Sequence, residues 1–416
     1  MKVLFLSDDF PPKSFGGAGI ITADLAVGIN DTGHEVFVIT TVQDKKQANG
    51  WRDYNGVKVY DLYVDYYQKL STYVSLYNPQ AFVAVDRLIR EIKPDVIHAH
   101  NIHNYLSYYC LKIARKYTKK LFLTTHDAMS FNYGKLINFY DKNDLSVQNK
   151  FNYKVGIFQN IITAKKRYNP FRNILIRYWL NKYPSKILAI SKRLNDALVQ
   201  NGIKNVKTIH YGINWQDWNV SHIERLHFLK KLRLENKKVI FFGGRLSEAK
   251  GGRIMIDVLD ILVKKSHNVV LLIAGTPNDY AKYLFNYAKE KSIENSIVFT
   301  GWLSREEMKK AYSICDLCVT PSIYFDAFNL FNIEAGASAK PVIGTCFGGT
   351  PEIIVDGKTG FIVNPNNINE FANSVFKLLM NPDLALFMGN AGYNRVKEYF
   401  SLDRYVSETL CSYLED

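Results

Sequence analysis

The chain has little cysteine and no long apolar run. Its five cysteines (Cys110, Cys315, Cys318, Cys346, Cys411) are an odd number in 416 residues, which argues against a disulfide framework and for a reducing compartment. Cys315 and Cys318 have C-x-x-C spacing. Cys318, however, lies in the apolar run Leu317–Val319 ahead of Thr320-Pro321, the setting of a buried strand rather than a redox pair. No stretch approaches the roughly 20 apolar residues of a membrane span. The start, Met1 to Asp8, turns acidic too soon for a signal peptide. The expected location is cytoplasmic, at most peripheral on the inner face of the cell membrane. Repeats, low-complexity tracts and proline-rich linkers are missing too, which excludes a fibrous or flexible array. One absence is local. From Leu145 to Asn195 there is no acidic residue, while Lys150, Lys154, Lys165, Lys166, Arg167, Arg172, Arg177, Lys182, Lys186, Lys192 and Arg193 are basic.

What the chain does have is positive charge and apolar residues. A net charge of +14, from 53 Lys and Arg against 39 Asp and Glu, implies an anionic partner: a phosphate ligand, nucleic acid or an acidic membrane surface. No recognised nucleic-acid module surrounds the basic stretch, so no nucleic-acid partner is expected. Hydrophobic residues make up 47% of the chain, enough for buried cores, and the length exceeds one ordinary domain. Short apolar runs alternate with helical stretches, the pattern of parallel strands covered by helices on both faces. Strands are expected at Val3–Ser7, Glu35–Thr40, Val57–Tyr63, Val96–His100, Leu121–Thr125, Lys186–Ile190 and Val206–His210. A second series follows at Val239–Gly243, Val269–Ala274, Ile297–Thr300, Leu317–Thr320, Pro341–Gly344 and Gly360–Val363. The fold class is therefore α/β, with two domains in series, residues 1–212 and 213–397, and a C-terminal helix over 398–416 that packs back on the first.

The acid-free segment departs from this alternation. Ile157, Phe158, Ile161 and Ile162, then Ile174, Leu175, Tyr178 and Trp179, sit at helical spacing on either side of Pro170. Two basic amphipathic helices are implied. They suit docking of residues 150–193 onto an anionic leaflet, where each Lys or Arg contributes about 1 kcal/mol. They suit equally a pair of helices whose apolar stripes pack on the domain.

The densest chemistry lies in the second half. Gly243-Gly244-Arg245 follows a strand, and Lys250 ends the same turn. Glycine permits close backbone approach, and two cations can neutralise a diphosphate. A second loop, Pro321 to Asn329, holds Asp326, Ala327 and Phe328. It opens a short helix, expected over Phe328–Ala339 with Leu330 in its first turn, that Lys340-Pro341 stops. The free N–H groups of that helix would face the diphosphate. Glu334, one to two turns in, can reach ribose hydroxyls, and Asp326 can hold the sugar ring. Gly301-Trp302-Leu303 follows a strand and borders the nucleobase, and Gly348-Gly349 allows close chain approach. Together these read as a nucleotide-sugar site.

The first half carries weaker signals. Pro11 to Gly19 includes Gly16 and Gly17, but no G-x-G-x-x-G is completed and no acidic residue closes the second strand, so an NAD site is not expected. His126 and Asp127 end a strand at the carboxyl edge of the sheet, where ligands of open α/β sheets bind. His98, His100 and His103 could suggest zinc, yet no carboxylate or cysteine completes the set, and no metal is expected.

At these residues the chain resembles the family 4 glycosyltransferases, retaining enzymes of GT-B architecture, over nearly its whole length. The resemblance implies two Rossmann-like α/β/α domains facing across a cleft, the first binding the acceptor and the second the nucleotide sugar. It places the family's Arg and Lys at Arg245 and Lys250, its second carboxylate at Glu334 and its glycine pair at Gly16 and Gly17. The family's first carboxylate, usually Glu, falls on Asp326, and Asn329 stands where Gly is usual. By the same resemblance His126 touches the donor sugar, Asp127 would orient or charge His126, and Gly17, His100, Asn101, His126 and Asp127 line the acceptor side. The implied activity is transfer of a hexosyl group from a nucleotide diphosphate sugar to a glycan or lipid-linked acceptor in cell-surface polysaccharide synthesis. No cofactor is implied beyond the donor. Asp326 and Asn329 keep a catalytically degenerate partner subunit in play, and a nucleotide-sugar epimerase shares the architecture.

Overall fold

A computed structural model of the chain describes residues 1–12, 16–48, 50–266 and 268–415. Lys13, Ser14 and Phe15 of the N-terminal glycine loop lie outside the described residues. The chain divides into two compact units, one made of Met1–Leu136, Asn152–Ile213 and Leu402–Asp416, the other of Ile137–Phe151 and Asn214–Ser401.

The first unit is built on an eight-stranded sheet of order β3-β4-β2-β1-β5-β6-β7-β8. Its strands are β1 (Lys2–Ser7), β2 (Glu35–Val42), β3 (Gly50–Tyr54), β4 (Val57–Tyr63), β5 (Val96–His100), β6 (Leu121–Thr125), β7 (Lys186–Ala189) and β8 (Val206–Thr208). All pairings are parallel except β3 with β4. β5 and β6 are buried throughout and β1 nearly so, as parallel strands covered by helices on both faces are, even though β5 carries His98 and His100 and β6 ends in Thr124 and Thr125. Edge strand β3 was not expected from the sequence. Gly50-Trp51-Arg52-Asp53-Tyr54 is half exposed and has no apolar run, so pairing with β4 alone defines it. The helix Leu402–Leu414 lies on the helix Gly17–Asp31, where a Cβ on Gly28 would stand 2.6 Å from Val406. The preceding residues through Ser401 belong to the second unit.

The second unit has a six-stranded parallel sheet of order β11-β10-β9-β12-β13-β14. These are β9 (Lys238–Gly243), β10 (Val269–Ala274), β11 (Ile297–Gly301), β12 (Leu317–Thr320), β13 (Val342–Thr345) and β14 (Gly360–Val363). Its core gathers Ile240, Phe242, Met255, Leu259, Leu271, Leu317 and Val319. Strand order reverses between β9 and β12, which pair with each other, and the loops leaving their carboxyl ends carry Arg245 and Asp326. Open α/β sheets bind ligands at such a switch point. The segment Ile137–Phe151, expected within the first half's domain, instead packs in this unit.

Candidate functional site

In the second unit, β9 delivers Gly243 and Gly244 to the carboxyl edge, and Arg245 follows, exposed. Among the described residues no ion pair or hydrogen bond engages Arg245. Lys250 ends the turn and is held quite differently. Its ammonium lies 2.7 Å from Asp326 Oδ2 and 5.5 Å from the Tyr324 ring centre. Burial opposes the charge on Lys250, but Asp326 and Tyr324 outweigh it and raise the pKa above the ordinary lysine value. The turn can be this tight because residue 251 is glycine. Its φ is +78° and a Cβ there would stand 2.0 Å from the Pro321 carbonyl.

The helix expected over Phe328–Ala339 runs from Leu330 to Ala337. Asn329 is its N-cap, with the side-chain carbonyl accepting from the Phe331 N–H at 3.1 Å. The residue that departs from the family's glycine thus satisfies one of the N–H groups expected to face an anion. Ala327 and Phe328 are buried in the loop ahead of it. Glu334 accepts from the hydroxyl of fully buried Tyr312 at 2.8 Å. Burial and that carboxylate both push the Tyr312 pKa up. Gly348 approaches so closely that a Cβ would stand 2.0 Å from the Asp326 carbonyl, and the Gly349 N–H donates to that carbonyl at 2.9 Å. At the far edge, Gly301 ends β11, Trp302 is half exposed and Leu303 is buried. A cavity of about 390 Å³ beside Gly301 is walled by Phe285 and Phe299, with Lys282 and Asn286 among its polar residues.

In the first unit, Gly16 caps the helix Gly17–Asp31 and Gly17 begins it. The ends of β5 and β6 bring the histidines together. His100 Nδ1 lies 3.0 Å from His126 Nε2, and the Tyr211 hydroxyl bonds His126 Nδ1. His98 lies between the Tyr413 hydroxyl at 2.6 Å and Thr124 Oγ1 at 2.8 Å. Burial, helped by the neighbouring histidine, lowers His98 to about 3, and burial with His103 beside it does the same for His126. His100 is lowered well below 6.5 by burial and by both ring neighbours. Three neutral imidazoles result. Asp127 does not orient His126. Its carboxylate accepts from the Met129 N–H at 2.8 Å and lies 3.8 Å from His103, because the chain turns immediately after β6. Asn101 adopts a φ of +42° just past β5.

Nothing in the spacing of the sequence marks Tyr211, Tyr312, Tyr324 or Asp8 as site residues, and the helical spacing of Tyr413 does not reveal its bond to His98. Asp8 follows β1 and accepts from the N–H groups of Asn104, Tyr105 and Leu106 at 2.6, 3.0 and 2.7 Å. Burial nevertheless pushes its pKa up to about 6, against the opposing pull of His103 and those N–H groups. Among the described residues no group of three His, Cys, Asp or Glu is placed to hold a metal ion.

Comparison with known proteins accounts for both halves. A model of Glycosyltransferase Family 4 matches residues 15–216, and one of Glycosyl transferases group 1 matches residues 224–395. The chain belongs to the family 4 glycosyltransferases. An uncharacterised glycosyltransferase of Methanocaldococcus jannaschii is 27% identical over 421 residues, covering 99% of this chain and 98% of the relative. Among solved structures, Anabaena HepE with UDP superposes with a TM-score of 0.73 at 20% identity, over 99% of this chain and all of that one. Sucrose-phosphate synthase from Thermosynechococcus elongatus gives 0.79 at 19% identity, over 100% and 98%. The fold is therefore of the GT-B class and the protein a glycosyl-transferring enzyme, as the motifs implied.

This glycosyltransferase also carries an unusual surface on its first unit. The helix Ile157–Ala164 buries only Asn160 and Ala164, leaving Phe158 83% and Ile162 70% exposed, with Ile157 and Ile161 beside them. The helix Arg172–Lys182 buries Arg172, Ile176 and Leu180, and exposes Ile174 and Tyr178. The apolar stripes read from the sequence are thus largely not the packed faces. Arg172 is the reverse case. Expected among the surface charges, it is buried, donating to the Met129 carbonyl at 2.7 Å and lying over the Tyr133 ring. A neighbouring stretch, Tyr67 to Tyr77, joins the segment through Thr72, which donates to the Arg167 carbonyl at 2.7 Å. It exposes Tyr67, Leu70, Tyr73 and Tyr77. Among the described residues no helix is long and apolar enough to cross a membrane.

Proposed function

We propose that this glycosyltransferase moves a hexosyl group, with retention of configuration, from a nucleoside diphosphate sugar to a glycan or lipid-linked acceptor of the cell surface. The second unit binds the donor and the first unit the acceptor. The observation that carries this reading is Arg245, an exposed cation on a glycine turn at the sheet's switch point, next to the Lys250–Asp326 pair. Arg245 and Lys250 stabilise the charge that develops on the leaving diphosphate, and no metal is needed for that task. Asp326 orients the sugar, Glu334 the ribose, and the cavity beside Gly301 takes the base. The leaving phosphate accepts the acceptor's proton, so no separate general base is required. HepE was solved with UDP, which supports a diphosphate donor without choosing the nucleobase.

The exposed aromatic and aliphatic side chains of Tyr67–Tyr77 and Ile157–Tyr178, flanked by Lys154, Lys165, Lys166 and Lys182, suit an anionic leaflet and hence a lipid-linked acceptor. The enzyme then works at the cytoplasmic face of the cell membrane. A second reading, a degenerate partner subunit, is favoured by the Lys250–Asp326 bond, which joins two groups expected to serve the ligand. Thermal stabilisation by UDP, GDP and ADP tests the site. A ligand at a hundred times its Kd adds about 2.7 kcal/mol, so one diphosphate should raise the melting point by several degrees, and Arg245→Ala should abolish the rise. No shift with any diphosphate would refute the donor site. Binding without hydrolysis or transfer of any sugar nucleotide would favour the partner subunit.

A further inference from the structure

The segment Ile137–Phe151 carries no residue of the donor motifs, yet it is clamped against them within the second unit. The Tyr140 ring stacks on Phe347 with centroids 4.0 Å apart and planes 26° apart. Phe139 meets Phe325 edge-on at 6.0 Å and Phe347 at 5.5 Å, and Phe151 reaches Phe347 at 5.8 Å. The Tyr140 hydroxyl lies 3.4 Å from the Ile323 carbonyl. The Asn364 side-chain amide donates to the carbonyls of Asp144 and Ser146 at 2.8 and 2.9 Å.

The two rings gripped by this strap flank the sugar-side carboxylate. Phe325 precedes Asp326 in the chain, and Phe347 precedes the Gly348-Gly349 pair whose second N–H holds the Asp326 carbonyl. Phe325 and Phe347 are both buried, so neither can turn without displacing the strap. The backbone of Asp326 is thereby fixed from both sides, and with it the carboxylate that bonds Lys250. In this region Lys250 bonds Asp326 and lies over the Tyr324 ring, one residue to either side of Phe325. We infer that Phe139 and Tyr140 are positioning residues for the Asp326 loop, setting the orientation of the donor's sugar but not the affinity for its diphosphate. This rests on the donor-site reading above.

The test is the double variant Phe139→Ala, Tyr140→Ala in the full chain, beside Tyr140→Phe and a core control in the same unit, Leu284→Ala. Amide exchange over residues 324–327 is measured without ligand, together with turnover of UDP-glucose, GDP-mannose and ADP-glucose. In the double variant exchange at 324–327 should rise at least about tenfold. Turnover should fall about tenfold to a hundredfold, as misplacement of a reacting group predicts, while the Kd of the matching free nucleoside diphosphate stays within about twofold. Tyr140→Phe keeps the stacked ring and should behave as wild type, and Leu284→Ala should not speed exchange at 324–327 selectively. Unchanged exchange at 324–327, or diphosphate affinity falling as far as turnover, would overturn the inference. Should the wild type bind no diphosphate and turn over no sugar nucleotide, the donor reading fails, while the exchange result still decides what the strap holds.

Discussion

Lowering the pH below 6.5 should loosen the first unit steeply, and the histidine cluster sets the slope. His98 and His126 accept a proton near 6.5 in the unfolded chain but only at about 3 in the folded one, because burial opposes the charge. Between those limits the unfolded state binds more protons, so stability falls as pH falls, by about 1.4 kcal/mol per pH unit for each ring. His100 is shifted in the same direction, by burial and by its two histidine neighbours. Asp8 works against them. Its folded carboxyl, pushed up to about 6 by burial, takes a proton before the unfolded chain does, so its share of stability rises as pH falls from 6 towards 4. For His98, His126 and Asp8 together the net slope in that window is about 1.4 kcal/mol per pH unit, and roughly 3 kcal/mol is lost by pH 5. That is a large fraction of the stability of a typical domain. Hydrogen exchange of the amides in β5 and β6 between pH 6.5 and 5 measures it unit by unit. His98→Gln, which removes one titrating ring, should cut the slope by about 1.4 kcal/mol per pH unit. A loss under about 1 kcal/mol between pH 6.5 and 5, or an identical slope in His98→Gln, would refute the reasoning.

Three further outcomes follow from other parts of the molecule. Asp326→Asn should destabilise the second unit by about 3 kcal/mol in urea unfolding, since it leaves the buried Lys250 ammonium without its carboxylate; a wild-type midpoint would show that the pair holds nothing. Gly251→Ala should cost at least about 2 kcal/mol, from the positive φ and the Pro321 carbonyl beside it, and unaltered stability would mean that the turn can relax. Phe158→Asp with Ile162→Asp should leave the melting temperature nearly unchanged, both side chains being exposed, while sedimentation with phosphatidylglycerol vesicles drops at least about tenfold. Equal sedimentation of variant and wild type would remove the membrane from the proposal.

Thirteen strands could be placed from short apolar runs because a parallel strand buried on both faces is largely apolar, as β10 is throughout and β1 is between its ends. The glycine turn with Arg245 and Lys250, and the loop with Asp326 and Glu334, were legible because each belongs to one local stretch whose spacing survives in the linear text. Strand β3 was not, since half-exposed residues carry no burial pattern and only the β4 partner defines it. Nor could spacing reveal that Lys250 bonds Asp326, that Tyr211 holds His126, or that Arg172 is buried while Phe158 is not. Those facts join residues up to 85 positions apart, or depend on which face of a helix finds a neighbour. The sequence by itself determined the fold class, the family and the residue types of the donor loops. The tertiary structure alone decided how those residues are partnered and charged, because burial and long-range contact exist only once the chain has closed on itself.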